Sequence, residues 1–262
     1  MTSQGAGNQE PASRMKGRVA LITGAHKRIG RAIALALAEE GVSIAAHSRA
    51  PLRVEEETVC REITANEVKC WNIAADLEKP DEYYTLIART IELCGRLDFL
   101  VNSASIFLSG TLKTIGLSDV VRHAHVNAWA PFVLSRDFAR LAGRGAIVNL
   151  LDTNITGFDD DHAAYILSKK MLAELTRICA LEFAPHVTVN AVAPGLILPP
   201  AGKDEGYLAE RARTVPLKQH GSAEDIADAV VYLLGSDFVT GQTIFVDGGM
   251  HLREGQGGQD PY

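Results

Sequence analysis

The chain has 262 residues, 47% of them hydrophobic and 22% charged, with a formal net charge of −6. It is long enough for one large α/β domain and needs no second one. The acidic balance argues against nucleic acid as a general partner, and no apolar run approaches the ~18–20 residues of a membrane span.

Residues 1–14 are polar, with Gly, Gln and Ser but no apolar h-region, and read as a disordered leader rather than a signal peptide. The folded domain is expected over 15–253, followed by a Gly-rich flexible tail over 254–262. Within the domain, short runs rich in β-branched residues alternate with longer helical patterns. The runs are Val19 to Thr23, Val42 to Ala46, Val68 to Trp71, Leu97 to Val101, Ala146 to Leu150, Val187 to Val192 and Thr243 to Val246. Near-continuous apolar strands separated by amphipathic helices predict a parallel sheet covered on both faces. The fold class is α/β, a single doubly wound Rossmann domain of seven strands that binds ligands at their carboxyl ends.

The first run leads into Thr23-Gly24-Ala-His-Lys27-Arg28-Ile29-Gly30, then into a helix predicted over 31–40 and closed by Gly41. Strand, glycine turn and helix start together make a place for a pyrophosphate, because backbone approaches closely at glycine and free amides point at the anion. The second run ends in His47-Ser48-Arg49, with no carboxylate. An acidic residue there would bind ribose hydroxyls and repel a 2′-phosphate. Ser48, Arg49 and Lys27 can instead donate to that phosphate, so NADP(H) is the expected cofactor.

The four cysteines (Cys60, Cys70, Cys94, Cys179) have no Cys-x-x-Cys spacing and read as reduced thiols of a cytoplasmic protein. The eight histidines show no paired spacing on a helix, so no metal site is expected.

Tyr165 and Lys169 lie four apart in a stretch that reads as helix, which stacks them on one face. A neighbouring ammonium favours phenolate and lowers the ordinary phenol pKa of about 10. Asp152 stands thirteen residues earlier, at the end of the apolar run from Ala146. Tyr and Lys meet at this spacing by chance on many surface helices, so the pair takes its meaning from its surroundings.

Those surroundings carry a resemblance. Thr23-Gly24 with Gly30, Asn102-Ser103-Ala104, Asn127, Tyr165-x-x-x-Lys169 and Pro194-Gly195 fall in the order and spacing of the short-chain dehydrogenase/reductases, over about residues 16 to 252. The resemblance implies that Lys169 holds the nicotinamide ribose and tunes Tyr165, which gives its proton to the substrate. It implies that Asn127 steadies a water chain to Lys169 and that Asp76, with Leu77 beside it, receives the adenine. Asn102, Ser103, Ala104, Pro194, Gly195 and Leu196 would complete the cofactor cradle.

Two departures point further. Arg28 stands where these enzymes usually have a third glycine, and Asp152 where they usually have serine. Both changes together resemble the pteridine reductases, with Thr-Gly-Ala-x-Lys-Arg-x-Gly in the turn and an Asp-Tyr-Lys triad. Asn102-Ser-Ala-Ser-Ile-Phe107 is similar to that family's Asn-Asn-Ala-Ser-Ser-Phe, in which the phenylalanine stacks on the pterin and the serine touches it. By that resemblance Ser105, Phe107 and Arg28 contact substrate, Arg28 also meeting the cofactor phosphates.

The chemistry of the residues agrees. A pterin is a flat, electron-poor heterocycle that a slot between Phe107 and the nicotinamide ring would hold by stacking. Hydride addition to its C=N bond leaves negative charge on nitrogen, which an acid must quench. Serine cannot supply that proton at neutral pH, whereas a partly desolvated carboxyl can. Asp152 is therefore expected to have a raised pKa and to titrate with Tyr165 as a coupled pair.

The expected function is NADPH-dependent reduction of a dihydropterin (dihydrobiopterin or dihydromonapterin), or of dihydrofolate. One alternative is a carbonyl or 3-oxoacyl thioester reductase of the same fold, left open by Ser103, Ile106 and the short substrate loop. Another is a non-catalytic NADP(H)-sensing protein, against which the intact Asn127, Tyr165 and Lys169 argue. By resemblance, the helix bearing Tyr165 and the one after Asn127 pair across a two-fold, giving a homodimer or homotetramer, and Arg253 is a candidate contact to a neighbour's pocket. Residues 196–207 read as a loop over the site.

Overall fold

The computed structural model describes residues 15–53, 58–200 and 204–253. The expected leader over 1–14 and tail over 254–262 lie outside the described residues.

All seven expected runs are strands: β1 (Val19–Ile22), β2 (Ser43–Ser48), β3 (Cys70–Ala74), β4 (Phe99–Asn102), β5 (Gly145–Leu150), β6 (Val187–Pro194) and β7 (Thr243–Val246). They form one parallel sheet in the order β3-β2-β1-β4-β5-β6-β7. The central strands are apolar at consecutive positions because both faces are covered. Ala20 and Ile22 of β1 pack into one core with Ile33, Leu37, Ile226 and Val230. Val19 and Leu21 point the other way, into a core with Leu86, Leu134 and Phe138. Each fully enclosed leucine or isoleucine contributes about 1.5–3 kcal/mol.

Helices α1 (Arg28–Glu39), α2 (Thr58–Thr64), α3 (Pro80–Tyr83), α4 (Leu86–Cys94), α5 (Leu117–Ala124), α6 (Ala130–Leu141), α7 (Ala163–Glu182), α8 (Glu205–Ala212) and α9 (Ala223–Leu234) follow in chain order. A π-helical turn, His125–Trp129, joins α5 to α6. Strand order reverses between β1 and β4, so the crevice opens at their carboxyl ends, where the glycine turn and the Asn102 loop meet.

Three expectations are corrected. Helix α1 begins at Arg28, three residues before the predicted start, and Gly41 follows it at φ +79°. Helix α8 begins at Glu205, inside the segment read as loop, because Asp204 caps it by accepting from the Tyr207 N–H; Gly202 of that segment lies outside the described residues. Cys60 and Cys70 are not reduced thiols. Helix α2 doubles back along β3, which brings their Cα atoms to 5.3 Å, and they form a disulfide. Cys94 and Cys179 are free.

Candidate active site

The cofactor end of the crevice is shaped by bare backbone. Gly24 sits at φ +70°, and a Cβ there would come 3.2 Å from the Cα of Ala104. A Cβ on Gly30 would strike the Gly24 carbonyl, and one on Gly195 would fall 2.5 Å from the Cβ of Asp247. Thr23 Oγ1 accepts from the N–H groups of Ser103 (2.9 Å) and Ala104 (3.0 Å), fastening the glycine turn to the end of β4. Pro194 pairs with Val246, the Gly195 N–H donates to the Val246 carbonyl at 3.0 Å, and the Leu196 carbonyl accepts from Gly221 at 3.0 Å. A close-packed glycine turn leading into a helix N-terminus fits a dinucleotide pyrophosphate.

Arg28 occupies the family's glycine position at φ 55°, a conformation that costs a non-glycine residue roughly 1–2 kcal/mol. Its guanidinium crosses the crevice and donates to the Pro199 carbonyl at 3.1 Å. Lys27 is exposed, while Ile29 packs against the core.

Several expected cofactor contacts are already engaged within the protein. His47 is buried: its Nδ1 accepts from the Gly24 N–H at 3.2 Å and its Nε2 bonds the Ala75 carbonyl at 2.8 Å. Burial lowers its pKa to about 4, so it is a neutral brace under the turn rather than a donor to a ligand. Asn102 is likewise buried, its amide donating to Asn149 Oδ1 at 2.8 Å and Ser135 Oγ at 3.2 Å. Arg49 is exposed but not unpartnered: it reaches Asp76 at 3.2 Å and Glu78 at 3.3 Å. A phosphate must compete with both carboxylates for it. The burial of Asp76 is outweighed by the Glu78 N–H and by Arg49, which hold its carboxyl below the usual range. Ser48 Oγ donates to the Ala50 carbonyl at 2.7 Å, and Leu77 is buried.

At the other end, β5 delivers Asp152 and the first turn of α7 delivers Tyr165. Tyr165 Oη donates to Asp152 Oδ2 at 3.2 Å, and the Asn154 N–H donates to Asp152 Oδ1 at 2.9 Å. Burial pushes the Asp152 carboxyl above its ordinary value, against the pull of the Asn154 N–H and the Lys169 charge. Lys169 is buried with Nζ on the Leu150 carbonyl at 2.7 Å, and burial lowers its pKa to about 8.

The pKa of the Tyr165 phenol is raised rather than lowered. Burial, then the Asp152 charge and hydrogen bond, raise the phenol well above its ordinary value. The Lys169 Nζ lies over the ring, 5.6 Å from its centroid.

Asn127 is held by the loop before α5 and by α7. In the π-helical turn its side chain accepts from the Ile106 N–H at 2.9 Å and donates to the Ile106 carbonyl at 3.0 Å and to Ser168 Oγ at 3.0 Å. Among the described residues it braces the Asn102–Phe107 loop against α7 and makes no hydrogen bond to Lys169. On that loop Ser105 is exposed, its hydroxyl donating to the Ile106 carbonyl at 3.2 Å. Phe107 is 47% exposed, with its ring edge-on to Tyr165 at 4.7 Å. Arg253 donates to the Thr214 carbonyl of its own chain at 2.8 Å.

Two constellations were missed in the sequence. Asp247 is buried and gathers Thr153 Oγ1 (2.5 Å), the Gly249 N–H (2.9 Å), and both the N–H and Nδ1 of His251 (2.8 Å each). It thereby ties the residue after Asp152 to the C-terminal turn. The second is His162, stacked on Phe107 at 4.0 Å and bonded to Asp159. A histidine three residues before Tyr165, behind three aspartates, was the available signal.

A family model described as Enoyl-(Acyl carrier protein) reductase matches residues 24–251. The chain belongs to the short-chain dehydrogenase/reductase superfamily. It is 33% identical to an uncharacterized oxidoreductase of Mycobacterium tuberculosis, over 90% of this chain and 93% of that one. It is 36% identical to the 3-oxoacyl-[acyl-carrier-protein] reductase FabG of Staphylococcus aureus, over 89% of this chain and 98% of that one. Among solved structures, FolM alternative dihydrofolate reductase 1 from Brucella canis, complexed with NADP, matches with a TM-score of 0.83 and 30% identity, over 95% of this chain and 98% of that one.

Proposed function

We propose that this chain is an NADPH-dependent reductase of a pterin, dihydrobiopterin or dihydromonapterin, and also of dihydrofolate. The observation that carries the reading is a half-exposed ring, Phe107, edge-on to a tyrosine whose hydroxyl bonds a carboxyl held above its ordinary pKa. A stacking platform and a proton source thus stand at one point. NADPH, when bound, supplies the hydride. The backbone at Gly24 and Gly30 would receive its pyrophosphate, with Lys27, Ser48 and Arg49 toward the 2′-phosphate and Gly195, beyond β6, toward its other end; the NADP complex of the Brucella canis relative supports this. Asp152, whose burial favours the protonated form, would supply the proton that the ring nitrogen takes. Tyr165 orients that carboxyl, and Lys169 holds α7 to the end of β5 through Leu150.

The identity to FabG favours a second reading, reduction of a 3-oxoacyl thioester. The first reading includes a homodimer or homotetramer, supported by exposed Leu167, Met171, Ile178 and Leu181 along α7. The test is initial-rate NADPH oxidation with dihydrobiopterin, dihydrofolate, a ketone panel and a 3-oxoacyl thioester. The expected result is a kcat/KM for a dihydropterin at least about tenfold above the other classes. A preference for the thioester transfers the assignment to the second reading, and no turnover of any of them supports a sensor.

A further inference from the structure

The loop from Ser103 to Gly116 carries Phe107 outside any helix or strand. A phenyl ring on such a loop, half exposed, has little of its own to keep it in one plane, and a stacking surface that turns freely loses binding energy to ordering.

His162 supplies the missing constraint. Its imidazole lies on the Phe107 ring at 4.0 Å with 15° between the planes. The imidazole is itself held: Nδ1 sits 3.1 and 3.0 Å from the two carboxylate oxygens of Asp159. Asp159 Oδ1 also accepts from the Asp161 N–H at 2.9 Å, which fixes the carboxylate. The two loops are joined in register as well. The Gly110 N–H donates to the Asp161 carbonyl at 2.7 Å, and the Ala163 N–H donates to the Gly110 carbonyl at 3.0 Å. Gly110 lies three residues past Phe107, and a Cβ on it would fall 2.5 Å from Ile115 Cγ2.

The side chain has no other evident use. His162 precedes α7 at the N-cap position, yet makes no side-chain capping bond. The proton chemistry is complete in Asp152 and Tyr165.

We propose that His162 is a specificity-determining residue: with Asp159 it backs the ring of Phe107 and keeps the opposite face as a fixed wall for a flat heteroaromatic substrate. This rests on the pterin reading above and deepens it. An aliphatic oxoacyl chain gains little from a fixed aromatic plane, so the pair selects for ring substrates.

The test is steady-state kinetics of His162→Ala, His162→Asn and His162→Phe with a dihydropterin and, in parallel, an aliphatic ketone or 3-oxoacyl thioester. Asparagine keeps a donor to Asp159 without a ring, and phenylalanine keeps a ring without the donor. The Ala and Asn variants are expected to raise the dihydropterin KM about 3- to 10-fold, the loss falling on KM rather than kcat. Phenylalanine should recover most of it, and KM for the aliphatic substrate should stay put. An unchanged or lower dihydropterin KM in His162→Asn overturns the inference, a lower one meaning that imidazole fills the slot instead of backing it. Equal KM increases for both substrate classes overturn it too, as would His162→Phe behaving like alanine. If wild-type protein turns over no dihydropterin, the pterin reading falls and takes the inference with it; wild-type turnover with unchanged variants removes the inference alone.

Discussion

On the β1–β3 side of the crevice the walls are backbone that glycine leaves bare, whereas on the β5–β7 side they are side chains bonded to one another across loops. A methyl on Gly30 would strike the Gly24 carbonyl, and one on Gly24, at φ +70°, would press against Ala104 at 3.2 Å. Asp152, Thr153, Tyr165, His162 and Asp247 come from three separate segments and are held by hydrogen bonds and ring contacts. The first construction suits a cofactor shared across a whole superfamily, and it tolerates little change. The second lets a substrate site be rebuilt one side chain at a time, as the aspartate at position 152 illustrates.

That contrast predicts where single substitutions act. The largest effect is expected on the side-chain half: Asp152→Ser should lower kcat for a dihydropterin about 100-fold or more, the scale of a general acid, while NADPH affinity holds. Parallel loss of both would mean that Asp152 shapes the whole crevice. The pH profile should follow the same residue. Because burial raises its pKa, the protonated and active form persists above the usual carboxylate range and activity falls as pH climbs through the shifted value. In the serine variant that limb should vanish.

Next in size is the backbone half. Gly30→Ala is expected to weaken NADPH binding about tenfold or more through overpacking against the Gly24 carbonyl, read by fluorescence titration. Wild-type affinity in this variant would erase the distinction between the two halves.

The last effect concerns stability rather than rate or affinity and joins the halves of the turn itself. The folded chain binds a proton at His47 only near pH 4, whereas the unfolded chain does so near 6.5. The unfolded state therefore takes up more protons in that window, and stability should fall on acidification by about 1.4 kcal/mol per pH unit between those values. Denaturant melts across the window should show a shallower slope in His47→Gln; an identical slope assigns the loss to other groups.

Much of this architecture was legible beforehand. Alternating and continuous apolar runs located all seven strands, since strand burial is a local property repeated every second residue. The glycine turn, the Tyr165–Lys169 helix and Asp152 were legible for the same reason: each is a short pattern whose meaning lies within a few residues. The Phe107–His162 stack was not, because its partners are 55 positions apart and neither has a periodic neighbour to announce it. Arg49 illustrates a different failure. Its charge was visible, but its pairing with Asp76 and Glu78 depends on β2 and β3 lying side by side.

The amino-acid order alone thus determined the α/β fold, the cofactor end and the positions of Asp152, Tyr165 and Lys169, all encoded by local spacing. Only the tertiary structure decided how those residues behave. It buried Asp152 and Tyr165 and raised the pKa of both, neutralised His47, joined Cys60 to Cys70 and laid His162 on Phe107. The reason is physical: proton affinity and ring contacts depend on desolvation and on neighbours that only chain folding brings within a few ångströms.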